Sequence, residues 1–508
     1  MLDQNLLSLI IFSPLLGVAI LFFIKNENKS LQKIIAIANT ILTFALSLYL
    51  YFKFDSTKSD YQFMQDLEWI SGFDIHYILG VDGLSLVLIL LTTFLTLISI
   101  IGTSNSIKEK LKGFLQFVLL LEVGMLGVFL SLDLVLFYVF WEAMLIPMYF
   151  LIGIWGGEER IYATVKFFLY TMFGSLLMLV AIIYLGYIAS TIPQGAFTTN
   201  LIKLNSIAPT LSKDLQLILF LAFTFSFAIK IPLFPFHTWL PDAHVQAPTA
   251  GSVLLAGVLL KMGTYGLLRF SIPFFPIAAI EMAPIISTIA VIGIIYGALV
   301  AMVQTDIKKL VAYSSVSHMG FIVLGIFSFS IEGTQGAILQ MLNHGLSTGA
   351  LFLLVGMIYD RRHTKLISEF GGLAKIMPIF STLFLIITFS SIGVPGLNGF
   401  VGEFLILLGA FKSTILSRGF SIVSALGVVL SAIYMLWMYQ RVFFGVVSKD
   451  ENRNLKDLNK TEIFVLSLIL IFVLWIGIYP STFLKLTEIS SAKILTVLFD
   501  TSKYLSIL

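Results

Sequence analysis

Cysteine is absent from the 508-residue chain. Disulfides, thiolate metal sites and cysteine-held iron–sulfur clusters are therefore excluded within it. Charge is scarce as well: Asp, Glu, Lys and Arg supply 12% of the residues. That is about half the share found in soluble domains. The net charge of +3 is too small to mark a nucleic-acid partner. A Gly-x-Gly-x-x-Gly dinucleotide turn is also missing. Redox chemistry, if the protein takes part in any, belongs to a partner. The first residues, Met1-Leu2-Asp3-Gln4, have no basic stretch of the kind that opens a cleaved leader. The apolar run behind them reads as a retained transmembrane helix.

Hydrophobic residues are abundant, at 58%, and lie in long continuous runs. A helix needs about 20 apolar residues to cross the bilayer core. Continuous rather than alternating hydrophobicity points to helices, not a barrel. The predicted fold is all-α and polytopic, with about 14 spans. They fall near 4–24, 32–52, 80–103, 112–131, 133–153, 163–189, 214–240, 248–270, 283–303, 308–329, 335–358, 376–410, 421–445 and 461–482. With the N-terminus outside, 19 Lys and Arg fall in cytoplasmic loops and 10 on the outer side. Arg269 is counted with the outer group and Lys308 with the cytoplasmic one. The bias predicts both termini outside.

Two basic residues remain, Lys230 and Lys261, and both fall inside spans. Two acids, Glu142 and Glu403, do likewise. A charge at a span centre costs about 2.5–3.5 kcal/mol on insertion scales. Low dielectric disfavours the charged form of either group, and an opposite partner restores it. A lysine that gains and loses a glutamate neighbour can therefore bind and release a proton. A static ion pair that only fixes packing is the rival reading. Four such residues in one chain, two of them on interrupted helices, weigh against it.

The interruptions are at Lys230-Ile231-Pro232-Leu233-Phe234-Pro235 and at Gly393-Val394-Pro395-Gly396-Leu397-Asn398-Gly399. Proline removes a backbone donor and clashes with the preceding turn. Broken helices at matching places mark ion sites in repeat-built transporters. Here they are the seventh and twelfth spans, which predicts two inverted five-helix repeats. The chain then divides into residues 1–111 (helices 1–3), 112–270 (first repeat, helices 4–8), 271–450 (second, inverted repeat, helices 9–13) and 451–508 (helix 14 and tail).

Histidine suits a relay because it titrates near neutrality. His318 and His344 fall in or near spans, where a hydrogen-bonded packing role is the competing reading. His237 and His244 read as helix-end residues, structural or interfacial. His76 and His363 read as loop residues. Asp133, Asp306 and Asp360 lie near span ends and are expected to be solvated.

The stretch from Ala228-Ile229-Lys230-Ile231-Pro232 through Phe236-His237-Thr238-Trp239-Leu240-Pro241-Asp242-Ala243-His244 resembles the signature of the antiporter-like subunits of respiratory NADH dehydrogenase, complex I. So do Gln246-Ala247-Pro248-Thr249-Ala250-Gly251-Ser252, Lys261-Met262-Gly263 and Asp306-Ile307-Lys308-Lys309-Leu310 through Ser317-His318. The glutamate at 403, and Phe140-Trp141-Glu142-Ala143-Met144, are similar to the M-type chains; L- and N-type chains carry lysine at the former place. The resemblance implies a fourteen-helix translocase subunit without a redox centre. It implies that Glu142 pairs with Lys230, the central carrier of a first half-channel. Lys261 would link to a second half through His318 and His344, and Glu403 would release the proton outside.

The same resemblance places NADH, FMN, iron–sulfur clusters and quinone in partner subunits. It makes L- and N-type chains the membrane neighbours, in a bacterial inner (plasma) membrane with both termini periplasmic. Sodium/proton antiporter subunits and membrane subunits of formate-hydrogenlyase-type complexes share these motifs, and they are the alternative reading.

Overall fold

The structure is a computed structural model that describes residues 2–193, 195–447 and 449–505. It opens with helices α1 (Leu2–Phe23) and α2 (Lys29–Lys53). An antiparallel hairpin follows, β1 (Gln62–Ile70) with β2 (Ile75–Val81). The chain continues through α3 (Gly83–Thr103), α4 (Leu111–Leu130), α5 (Leu134–Ala143), α6 (Leu145–Trp155), α7 (Arg160–Thr191), α8 (Leu201–Ile207), α9 (Lys213–Lys230) and α10 (Trp239–Gln246). Next comes one rod made of α11 (Thr249–Leu254), α12 (Leu260–Gly266) and α13 (Ile272–Phe274), joined by π turns at Leu255–Leu259 and Leu267–Ser271. The remainder is α14 (Pro276–Met302), α15 (Ile307–Phe327), α16 (Ile331–Arg362), α17 (Leu373–Ile376), α18 (Pro378–Ser391), α19 (Asn398–Lys412), α20 (Gly419–Phe443), α21 (Asp450–Arg453), α22 (Lys460–Ile478) and α23 (Ser481–Leu505).

Twelve helices among the described residues are long and apolar enough to cross a membrane. They fall on twelve of the predicted spans. The other two spans are the interrupted ones. The first is α9 and α10, separated by the Ile231–Thr238 turn, and the second is α18 and α19.

The backbone groups freed at these breaks find partners, as a water-poor interior demands. The Trp239 indole donates to the Ile229 carbonyl at 2.8 Å, and Leu233 N–H donates to Ala228 O at 2.7 Å. In the second break, Asn343 Nδ2 donates to Asn398 O at 2.7 Å. Gly393 and Gly396 turn the chain there at φ of +75° and +91°, a region that costs glycine little.

Burial sorts the helices into an inner and an outer set. The apolar windows of Thr249–Phe274 and Ile331–Arg362 are 100% buried, against 28% for Lys460–Ile478. The buried rods carry the polar side chains: Gln340, Asn343, His344, Ser347 and Thr348 all sit inside on α16. Outer helices such as α7 and α20 show leucine, isoleucine and valine on their free faces. In water such faces would be a liability; in a bilayer they meet lipid tails.

Several expectations about single residues change. Asp133 is not solvated. It is buried and caps α5, accepting from Val135 N at 2.9 Å and Leu136 N at 3.1 Å, with Thr199 Oγ1 at 2.7 Å. The four free N–H groups of a helix start need such an acceptor, and a carboxylate also suits the dipole. Asp306 caps α15 through Lys309 N at 3.0 Å. Asp360 stays exposed, bonded to Ser106. Arg269 is no loop residue: it is buried and grips the α3 cap Asp82 with two bonds, of 2.8 and 2.6 Å. The hairpin was not predicted, because its strands are too short and too polar to register in a search for long apolar runs. His76 lies on it, 2.6 Å from Asp66 and 3.3 Å from Asp74. The hydrogen bond to Asp66, aided by both carboxylate charges, raises its pKa.

Candidate functional site

The site is a row of titratable groups through the inner helices. At one end Lys230 closes α9, where the negative end of the helix dipole favours an ammonium. It is 1% exposed. Its Nζ lies 3.5 Å from Met144 Sδ and over the rings of Trp141 (5.4 Å) and Phe167 (5.6 Å). Glu142, half-buried on α5, has Ser175 beside it and feels the Lys230 charge. Its Oε1 has no hydrogen-bond partner among the described residues.

The implied Glu142–Lys230 pair is therefore not closed. The ammonium is held by sulfur and π faces, and these bind it more weakly than a carboxylate would. Met144 stands at the break that separates α5 from α6.

Lys261 is fully buried on α12, in the segment bracketed by the two π turns. Such turns recur at functional sites because they re-aim side chains. Its Nζ bonds to the Ala256 carbonyl and lies 2.6 Å from His344 Nδ1. The rings of His344 and His318 have centroids 5.7 Å apart. His318 Nδ1 lies 3.1 Å from Glu403 Oε1, which also accepts from Gln340 Nε2 at 3.3 Å. Between the two imidazoles is a polar cavity of about 10 Å³, lined by both histidines, Gln340, Asn343 and Ser390 among others. That is the lower limit for one water.

Lys261, His344, His318 and Glu403 thus form one contiguous row. Lys230 and Glu142 adjoin each other at its other end. Lys230 and Lys261 make no direct bond, although α9 packs on α12.

Three residues join this interior that the sequence reading placed elsewhere or passed over. His244 is not interfacial: it is fully buried, stacked on Phe352 at 4.5 Å, with neither ring nitrogen partnered among the described residues. The charges of Lys308 and Lys261 both reach it. Lys308 is 7% exposed and donates to Ala247 O at 2.6 Å, turned inward at the start of α15. Glu122 is fully buried in α4; a check of every span for acids, as was made for bases, would have found it. Among the described residues no cluster of three or more His, Asp or Glu is placed to hold a metal ion.

Broken membrane helices around a buried lysine–histidine–glutamate row define an ion-translocating membrane subunit. The profile of the NADH:quinone oxidoreductase/Mrp antiporter transmembrane family matches residues 131–433. The chain belongs to that family. NADH-quinone oxidoreductase subunit M of Rickettsia prowazekii is 44% identical over 97% of this chain and 99% of its own. Subunit M of Rhodobacter capsulatus is 46% identical, covering 94% of each. Among solved structures, a chain of respiratory complex I from Thermus thermophilus superposes with a TM-score of 0.87 at 31% identity, over 97% of this chain and 99% of that one. An archaeal membrane-bound sulfane sulfur reductase shares the fold, with a TM-score of 0.85 at 24% identity over 95% of this chain and 77% of that one.

Proposed function

We propose that the chain serves as the M-type proton-translocating subunit of a bacterial NADH-quinone oxidoreductase, moving protons through Glu142, Lys230, Lys261, His344, His318 and Glu403. The observation that carries this reading is the buried row Lys261, His344, His318 and Glu403 inside the helix bundle. Electron transfer from NADH to quinone takes place in other subunits, and chains L and N are the expected membrane neighbours. Both termini face the periplasm, and spans 4–8 and 9–13 act as inverted halves.

The geometry sets what each group can do. The Lys261 ammonium can pass a proton to His344 Nδ1 directly, at hydrogen-bond distance. Imidazole can take a proton on one nitrogen and give one up from the other, and His344 Nε2 has no hydrogen-bond partner among the described residues. The cavity lined by both imidazoles has room for one water to carry the proton to His318, which hands on to Glu403. Closing the Glu142–Lys230 pair stabilises the ammonium at 230; opening it releases a proton toward Lys261. Each charge moved across the full potential requires about 2.3 kcal/mol per 100 mV. A coupled redox step elsewhere must supply that energy.

The test is Lys230→Ala and Glu142→Ala in the assembled complex, with proton pumping and NADH-driven quinone reduction measured in membrane vesicles. Both rates should fall while the subunit inventory stays intact. Normal pumping by an assembled Lys230→Ala complex would overturn the assignment.

A further inference from the structure

The relay leaves one buried acid unused. Glu122 is fully buried in the middle of α4, and neither of its carboxyl oxygens has a hydrogen-bond partner among the described residues. An unpaired carboxylate there would cost several kcal/mol, so the site holds the carboxylic acid.

Two hydrogen bonds fix the register of α4 against α3 and α12. On α3, Ser85 Oγ donates to Phe129 O of α4 at 2.7 Å; on α12, the Tyr265 hydroxyl donates to the same oxygen at 3.2 Å. Successive spans α3 and α4 run antiparallel. Thr92 follows Ser85 by seven residues, and Glu122 precedes Phe129 by seven. Seven residues make two turns, about 10.5 Å, and return to the same helix face. Glu122 and Thr92 therefore lie at one depth on facing rows. Two turns further along that row of α3 is Ser99, buried, its hydroxyl without a partner.

On α12, Lys261 precedes Tyr265 by one turn, and its ammonium reaches back a further turn to the Ala256 carbonyl. That brings the ammonium to the depth of Glu122. Leu95 of α3, one turn from Thr92, meets Gly257 at the base of the same lysine. Helix α4 packs on both α3, which carries Thr92, and α12, which carries Lys261, and α3 packs on the Leu255–Leu259 turn that leads into Lys261.

We propose that Glu122 is a further proton-carrying residue, a carboxylic acid that reloads Lys261 past the Thr92 hydroxyl. The step balances. The Glu122 O–H bond breaks and an N–H bond forms on the neutral Lys261 amine, leaving carboxylate and ammonium. The carboxylate regains its proton from the cytoplasmic side along the Ser99 row. The proposal rests on the reading of Lys261 as a carrier.

The experiment compares Glu122→Gln, Glu122→Asp and Lys261→Ala in the assembled complex. Readouts are proton pumping in vesicles and the carboxylic-acid carbonyl band in infrared difference spectra taken during turnover. Glutamine keeps the shape and neutrality of the acid but has no proton to lend. Glu122→Gln should lose pumping and the band, and Glu122→Asp should shift the band and recover part of the pumping. Parent-like pumping in Glu122→Gln beside lost pumping in Lys261→Ala overturns the Glu122 step alone. Parent-like pumping in Lys261→Ala overturns the underlying relay. If Glu122→Gln does not assemble, the Glu122→Asp spectrum decides: a shifted band supports the step, and an unchanged spectrum overturns it.

Discussion

In the proposed relay Lys261 is the residue on which the row depends, because there its amine must both hold and give up a proton. Lysine suits this: its ammonium is a compact charge whose proton affinity responds to its surroundings. Arginine offers the same charge and a similar length, yet it does not deprotonate in proteins. Lys261→Arg is therefore expected to keep the charge beside His344 and to let the complex assemble, while proton pumping in vesicles is lost. Pumping at the parent rate in Lys261→Arg would mean that the residue acts as a fixed charge and not as a carrier. His344, 2.6 Å away, would then have to take its protons from elsewhere.

At the scale of elements, the break between α18 and α19 carries Glu403 on its far side. Gly399, in the first turn of α19, packs so closely that a Cβ would collide with the Ser390 carbonyl oxygen, and it would come within 3.6 Å of Gly393 Cα. Ser390 belongs to the polar cluster with Ser347 and Asn398 that lines the cavity between the two histidines. Overpacking of a tight contact costs about 1–3 kcal/mol. Here it can be relieved only by moving α19 away from α18. Gly399→Ala should therefore lower the melting temperature of the purified complex's membrane arm. It should also weaken pumping more than it weakens assembly, since Glu403 moves with the helix. Gly396, whose Cβ would meet open space, gives the contrast. Its burden is only its φ of +91°, so Gly396→Ala should cost stability without shifting Glu403 as far.

At the scale of the whole molecule, the membrane class, the span positions and both breaks were legible in the sequence. Lipid allows few ways to satisfy a backbone, and apolar runs advertise the one used here. The charged residues at 142, 230, 261 and 403 were legible for the same reason: each is costly unless it has work to do. Depth and partners were not. Whether Lys308 and His244 turn inward depends on the packing of α10 and α15, which local sequence does not encode. That Lys230 meets the Met144 sulfur is likewise a matter of packing between α9 and the α5–α6 break. The hairpin was hidden because its strands carry no long apolar run.

Orientation is the remaining global property, and the lack of cysteine makes it directly measurable. Every thiol in the chain would be one introduced by design. Ser59 lies exposed in the loop between α2 and β1, and Glu158 is exposed between α6 and α7. The excess of lysine and arginine in alternate loops predicts Ser59 outside and Glu158 inside. In intact cells stripped of their outer wall, a membrane-impermeant maleimide should label Ser59→Cys at once and Glu158→Cys only after the membrane is opened. The reverse pattern would turn the row around, with Glu403 taking protons from the cytoplasm. The hairpin supplies an independent check. It connects to the same face as Ser59, and its His76 is held protonated by Asp66 and Asp74 up to a higher pH than a free imidazole. Those contacts therefore contribute fully below the ordinary histidine range and fade as pH rises through the elevated value. If the hairpin is periplasmic, only external alkalinisation should change the accessibility of a thiol placed beside it.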